Sequence, residues 1–171
     1  MKWKRYLPGI LCLIFLLGFD QLTKYLAVDY LKDKEPFPII KNIFELQYLE
    51  NRGAAFGLMQ GQRWLLLGVT LLTIALLVLF YLKLPFTKRY LPLRFTGILL
   101  GAGAVGNMVD RFFLGYVVDF FYFKLIDFPI FNLADCYVVV SAFLAFFLIG
   151  FYYQDDDFAF LRKQDSSGNN M

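Results

Sequence analysis

Two uncharged apolar runs, Trp64 to Leu82 and Cys136 to Gln154, constrain this chain most. Each has roughly the 20 residues a helix needs to cross the hydrocarbon core of a bilayer. Within lipid a backbone must satisfy its own hydrogen bonds, so such runs read as membrane-crossing helices rather than as the core of a soluble domain. Composition agrees, since 59% of the 171 residues are hydrophobic and 20% aromatic. Two further runs are shorter. Between Arg5 and Asp20 the uncharged stretch cannot span alone, so a first helix must carry Asp20 and Lys24 toward its far end. Phe95 to Val109 is likewise followed at once by Asp110 and Arg111. The sequence thus predicts an all-α membrane protein of four transmembrane helices, near 6–29, 64–83, 93–112 and 133–154, in one domain over 1–171.

Four spans put both termini on one side of the membrane. Lys2, Lys4 and Arg5, with Lys83, Lys88, Arg89 and Arg94, favour cytoplasmic termini. Lys32, Lys34, Lys41, Arg52 and Arg63 lie opposite but are spread over a longer segment. The basic start followed by Leu7 to Phe19 resembles a signal peptide. Cys12, however, follows Gly9-Ile10-Leu11 rather than a run of small residues, so the segment reads as a retained span. A net charge of +3 offers no nucleic-acid surface.

The segment 30–63 is expected to be extracytoplasmic and to form a small β-sheet after helix 1, because Phe44, Leu46 and Tyr48 alternate with Glu45 and Gln47 beyond the turn residues Pro36 and Pro38. It leads to Asn51-Arg-Gly-Ala-Ala-Phe-Gly57. There the glycines Gly53 and Gly57 allow close backbone approach, and Asn51 and Arg52 offer donors. The third span is rich in small residues, with Gly97 and Gly101 in a GxxxG arrangement suited to helix packing. The tail 155–171 reads as a disordered cytoplasmic end.

The chain has no histidine, which removes Ser-His-Asp and Cys-His catalysis, HExxH zinc sites and haem histidine ligation. Acid–base work falls to carboxylates, lysine or tyrosine. Cys12 and Cys136 lack the spacing of a disulfide framework or a metal site, and no metal or organic cofactor is expected. Asp20 and Lys24 share a helical face, as do Asn107, Asp110 and Arg111, and polar groups so placed suit charge pairs that lock helices. Arg111 could also meet a substrate carbonyl or a lipid head group. Asn132 and Asp135 match a helix N-cap and its third residue, a role compatible with catalysis. Asp119 is a lone acid in the run Tyr116-Val-Val-Asp-Phe-Phe-Tyr-Phe, where a structural role would require a partner such as Arg111 or Lys124.

Four blocks, Asp20-Gln-Leu-Thr-Lys24, Asn51-Arg-Gly-Ala-Ala-Phe-Gly57, Gly106-Asn-Met-Val-Asp-Arg111 with Gly115-Tyr-Val-Val-Asp-Phe120, and Phe131-Asn-Leu-Ala-Asp135, resemble in order and context those of the bacterial lipoprotein signal peptidases, the signal peptidase II family. The resemblance implies an aspartic endopeptidase of the bacterial inner membrane. Its substrate would be a prolipoprotein carrying diacylglyceryl on its lipobox cysteine, cut just before that cysteine at the extracytoplasmic face. It implies Asp119 and Asp135 as the catalytic pair, Asn51, Asn107, Arg111 and Asn132 as substrate-binding residues, and Asp20, Lys24, Gly53 and Asp110 as supports. It also implies inhibition by globomycin, and a monomer in contact with membrane lipids is expected. A small transporter or channel and a membrane scaffold are the readings from other classes. The absence of charge from Trp64 to Leu82 in the second span and the acids gathered at one end of the bundle weigh against a transport pathway.

Overall fold

The computed structural model describes residues 2–53 and 59–161. Its long helices are α1 (Leu7–Leu31), α2 (Arg63–Lys83), α3 (Leu91–Phe113) and α4 (Leu133–Phe147), the last prolonged by a π-helical turn, Leu148–Tyr152. Pro8 and Pro92 lie in the first turns of α1 and α3, where a backbone N–H has no helical acceptor and its loss costs nothing.

By length and composition, Leu7–Leu31, Arg63–Lys83 and Leu133–Tyr152 can cross a membrane. The third expected span departs from this: α3 forms, but it does not reach the same apolar character. Its position explains the difference. α3 packs against α1, α2 and α4, so faces that an outer helix would turn to lipid meet protein instead. Thr96, Gly101, Ala102, Gly103, Gly106 and Asp110 are accordingly buried on it. α2 is the opposite case and buries no residue; Trp64, at 73% exposure, and Leu72, at 61%, belong to an outer face suited to lipid rather than water.

Small residues set how closely α3 meets its neighbours. A methyl group at Gly103 would lie 2.5 Å from the Ala134 carbonyl oxygen and 2.8 Å from Val138 Cγ2, so the glycine is what lets α4 approach. The expected GxxxG pair is less demanding, since methyl groups at Gly97 and Gly101 would meet side chains of α2 at an ordinary 3.5 Å. The contact that matters most for the site is at Gly106, where the Asp20 carboxylate fills the space of the missing side chain.

The sheet is larger than the sequence suggests. β1 (Phe37–Ile40) and β2 (Phe44–Asn51) form the hairpin expected after α1, and Asn42 turns between them in the left-handed conformation that asparagine tolerates. A third strand, β3 (Val117–Tyr122), arrives from beyond α3 and pairs antiparallel with β2, giving the order β1-β2-β3. Leu49 pairs with Asp119 and Asn51 with Val117. β3 is buried on both faces along Val117 to Phe120, where Val118 and Phe120 pack with Ala27 and Leu31 of α1. The sheet therefore stands over the α1 end that carries Lys24.

At the other end of the bundle, Asp155–Leu161, the start of the segment expected to be disordered, forms a short 3-10 helix. Asp157 accepts hydrogen bonds from Arg89 Nε at 2.9 Å and Nη2 at 2.6 Å, and Phe158 and Phe160 pack on a cluster of Leu84, Leu93, Leu148 and Tyr153. Its aromatic residues find a core to bury against, which composition alone does not reveal. Residues 162–171 lie outside the described residues.

The two kinds of helix contact separate in a test. Gly→Ala in a helix gains about 1 kcal/mol of intrinsic propensity, whereas overpacking a tight contact costs about 1–3 kcal/mol. Gly97→Ala should therefore hold or raise the thermal midpoint in detergent, and Gly103→Ala should lower it. Equal midpoints for the two variants would contradict the close α3–α4 contact.

Candidate active site

The polar end of the bundle is built outward from α1. Asp20 is 0% exposed, Lys24 3% and Asp110 3%, a depth at which unpaired charges cost several kcal/mol. The i, i+4 spacing sets Lys24 Nζ 3.0 Å from Asp20 Oδ2, and α3 brings Asp110 Oδ2 to 3.0 Å as well. The third ammonium hydrogen goes to Asn107 Oδ1, also at 3.0 Å. Compensation is thus local to α1 through Asp20 and also crosses to α3 through Asp110, as expected of charge pairs that lock helices. Asp20 Oδ1 accepts the Ala134 N–H at 2.9 Å and Asp110 Oδ2 the Val118 N–H at 3.2 Å, so these acids also hold the first turn of α4 and the start of β3.

Three asparagines carry the arrangement to Asp119 and Asp135, and each has its amide orientation fixed by a group that can only donate. Lys24 faces Asn107 Oδ1, so Asn107 Nδ2 turns to Asp135 Oδ1 at 2.7 Å. The Asp135 N–H faces Asn132 Oδ1 at 3.0 Å, so Asn132 Nδ2 turns to Asp119 Oδ1 at 2.6 Å and to Asn107 Oδ1 at 3.1 Å. The Gly53 N–H faces Asn51 Oδ1 at 3.0 Å, so Asn51 Nδ2 turns to Asp119 Oδ2 at 2.8 Å.

The expected cap is present as a full capping box. Asn132 accepts the Asp135 N–H, while Asp135 Oδ2 accepts the Asn132 N–H at 3.1 Å. The same asparagine therefore touches both carboxylates. Asp119 is 1% exposed, and its partners are Asn51 and Asn132 in place of Arg111 or Lys124. Lys124 instead pairs with Glu45 at 3.0 Å. Burial, reinforced by the neighbouring Asp135 charge, pushes the Asp119 carboxyl up to about 7; the amide hydrogen bonds and the Lys24 charge restrain it. Arg111 donates to the Gly53 carbonyl at 2.9 Å, holding the loop after β2. Of the block that begins at Asn51, residues 54–57 lie outside the described residues.

A cavity of about 820 Å³ opens at this point. Asn51, Asn107, Arg111, Asp119 and Asp135 form its polar wall, and Phe128, Ile130, Phe131 and Val139 belong to its apolar one. Among the described residues no cluster of three or more Asp, Glu or Cys side chains could hold a metal ion. Of the ten site residues expected from sequence, all fall in one connected network. What sequence reasoning missed is Gln21, whose Nε2 donates to Asp20 Oδ2 at 3.1 Å and Asp110 Oδ1 at 3.0 Å. An amide next to a buried acid in an apolar helix was the available signal.

Comparison with known proteins bears on what this network serves. Residues 12–151 match the family model described as signal peptidase (SPase) II. The chain belongs to the signal peptidase II family. A lipoprotein signal peptidase of Clostridioides difficile (strain 630) is 44% identical over 143 residues, 83% of this chain and 95% of that one. One of Trichormus variabilis is 47% identical over 126 residues, 71% and 76% of the two chains. Among solved structures, a bacterial membrane enzyme determined by the in meso method at 2.3 Å resolution is 30% identical, with a TM-score of 0.74 over 92% of this chain and 93% of that one. As a signal peptidase II member the chain is a peptidase and a multi-pass bacterial membrane protein.

Gln21 offers a test of the network. Gln21→Leu keeps the apolar surface of α1 but takes the amide donor from Asp110 Oδ1 and leaves Asp20 Oδ2 with Lys24 alone, which should cost about 1–3 kcal/mol and lower the thermal midpoint in detergent. An unchanged midpoint would show that the amide is not structural.

Proposed function

We propose that this chain removes the signal peptide from prolipoproteins already carrying diacylglyceryl on the lipobox cysteine, cutting just before that cysteine by an aspartic mechanism at Asp119 and Asp135. The observation that carries the reading is that two carboxylates, both hydrogen-bonded to Asn132, face one cavity with polar and apolar walls. Lipoprotein signal peptidase is also the name borne by relatives that align over most of the chain.

Of the two acids Asp119 is the one whose burial favours the protonated form, and it carries the proton that the pair shares. Asp135 takes a proton from a water molecule as that water attacks the scissile carbonyl, while the Asp119 proton passes to the carbonyl oxygen. Collapse of the tetrahedral intermediate returns a proton to Asp119, and Asp135 delivers its own to the departing amine. Arg111 and Asn51 flank the substrate backbone, and the apolar wall accommodates acyl chains. Globomycin occupies the same cavity. α3 serves as a fourth span whose lipid contact is reduced by its central position, the termini are cytoplasmic, and the site opens at the extracytoplasmic face. The enzyme acts as a monomer.

The raised Asp119 value gives the sign of the pH dependence. The proton needed on Asp119 is present below about 7 and lost above it, so kcat/KM should decline as pH rises through that value. Cleavage of a diacylglyceryl-modified prolipoprotein by the purified chain, measured against pH and beside the same substrate without lipid, checks both mechanism and specificity. A rate that stays flat through neutrality, or equal cleavage of the unlipidated substrate, would contradict the proposal.

A further inference from the structure

Lys24 is the most completely satisfied group in the polar end of the bundle, yet it does not line the cavity and is too enclosed to touch a substrate. Asp20 and Asp110 would be enough to neutralise it. Its third hydrogen bond, to Asn107 Oδ1, adds little to charge balance and fixes a direction. An ammonium has three donors and no acceptor, so Asn107 cannot rotate its amide by half a turn without setting NH2 against NH3⁺. The same rotation would set the Asn107 NH2 against the Asn132 NH2 and its oxygen against Asp135 Oδ1, two further repulsive contacts.

We propose that Lys24 is a positioning residue for peptide cleavage, one that pins the Asn107 oxygen and thereby aims the NH2 groups of Asn107 and Asn132 at the carboxylates of Asp135 and Asp119. The proposal rests on the reading of these two acids as the catalytic pair. It goes further in giving a buried lysine outside the cavity a defined effect on the chemistry. With Lys24 present both carboxylates meet donors in fixed directions. Without it Asn107 is held in that orientation by Asn132 and Asp135 alone, and its two amide orientations become closer in energy. The charged groups around Asp119 are Asp135 on α4, Lys24 on α1, Asp110 and Arg111 on α3, and Glu50 on β2, which is itself paired with Lys32 and Arg52. Lys24 and Arg111 are the cations that bear on the carboxylate pair; Arg111 is engaged by Gly53.

The experiment compares the purified full chain with Lys24→Met and Asn107→Asp, each checked for folding by its thermal transition in detergent, with kcat and KM for a diacylglyceryl-modified prolipoprotein followed on both sides of neutrality. Misplaced catalytic groups cost on the order of 10²-fold, so kcat of folded Lys24→Met should fall by about that factor, with KM little changed because Lys24 is no part of the cavity wall. Loss of the cation should also move the alkaline limb of the profile to higher pH, since the Lys24 charge pulls Asp119 downward. A merely structural lysine would reduce the amount of folded enzyme and leave both kcat per folded molecule and the limb in place. That result, with kcat within about twofold of the parent, overturns the proposal. If Lys24→Met does not fold, Asn107→Asp decides: it keeps an acceptor for Lys24 and removes the donor to Asp135. It should lose kcat by a similar factor, and parental kcat in that variant also overturns the proposal. Failure of the parent chain to cleave at all would instead count against the aspartic peptidase reading.

Discussion

Lys24 directs three ammonium hydrogens at Asp20, Asp110 and Asn107 in a setting where it is 3% exposed, and the geometry of the site follows from keeping that charge satisfied. A buried ion is tolerated only when its partners are close and well oriented, because several kcal/mol of lost hydration must be offset by short contacts. Those contacts need α1 and α3 side by side, and Gly106 provides the room by leaving the Asp20 carboxylate space against α3. The acids in turn hold backbone N–H groups of Ala134 and Val118, which begin α4 and β3. One cation thus draws together the elements that carry Asn107, Asp119 and Asp135.

Polarity is the second consequence. A carboxylate buried among apolar side chains is pushed toward its neutral form, and donors pull it back. At Asp119 burial and Asp135 raise the carboxyl, while Asn51, Asn132 and Lys24 restrain it, with a balance near neutrality. The amides can supply donors because their oxygens are already claimed by Lys24, the Asp135 N–H and the Gly53 N–H. Asparagine is well suited to this task, offering an acceptor to the scaffold and donors to the acid from one rigid group.

Much of this was legible in the sequence where the signal is local. The i, i+4 spacing of Asp20 and Lys24, the Asn132–Asp135 capping pair and the strand at Phe44 to Tyr48 each depend on neighbours along one element, and each is found, although within the strand it is Glu45 that is buried while its apolar neighbours are half-buried. What could not be read joins distant segments. β3 completes the sheet, and its lone acid looked exposed to an uncompensated cost until Asn51, 68 positions away, supplied a donor. Arg111 goes to a backbone carbonyl, which carries no sequence signature. The moderate apolarity of α3 reflects a central position that hydropathy cannot report. Residues 155–161 are ordered because Arg89 and an aromatic cluster on other elements receive them.

The central claim is that Asp135 is a catalytic carboxylate as well as a capping residue, and one substitution separates the two roles. In Asp135→Asn the side chain keeps its size and its oxygen can still accept the Asn132 N–H, so the cap survives at the cost of setting an NH2 against that of Asn107, while the group that must take a proton is lost. The decisive measurement is turnover of a lipidated prolipoprotein by that purified, folded variant. The account predicts a cooperative thermal transition at a modestly lower midpoint, with turnover per folded molecule reduced by about 10²- to 10⁴-fold; near-parental turnover would leave Asp135 a helix cap and Asp119 without its partner.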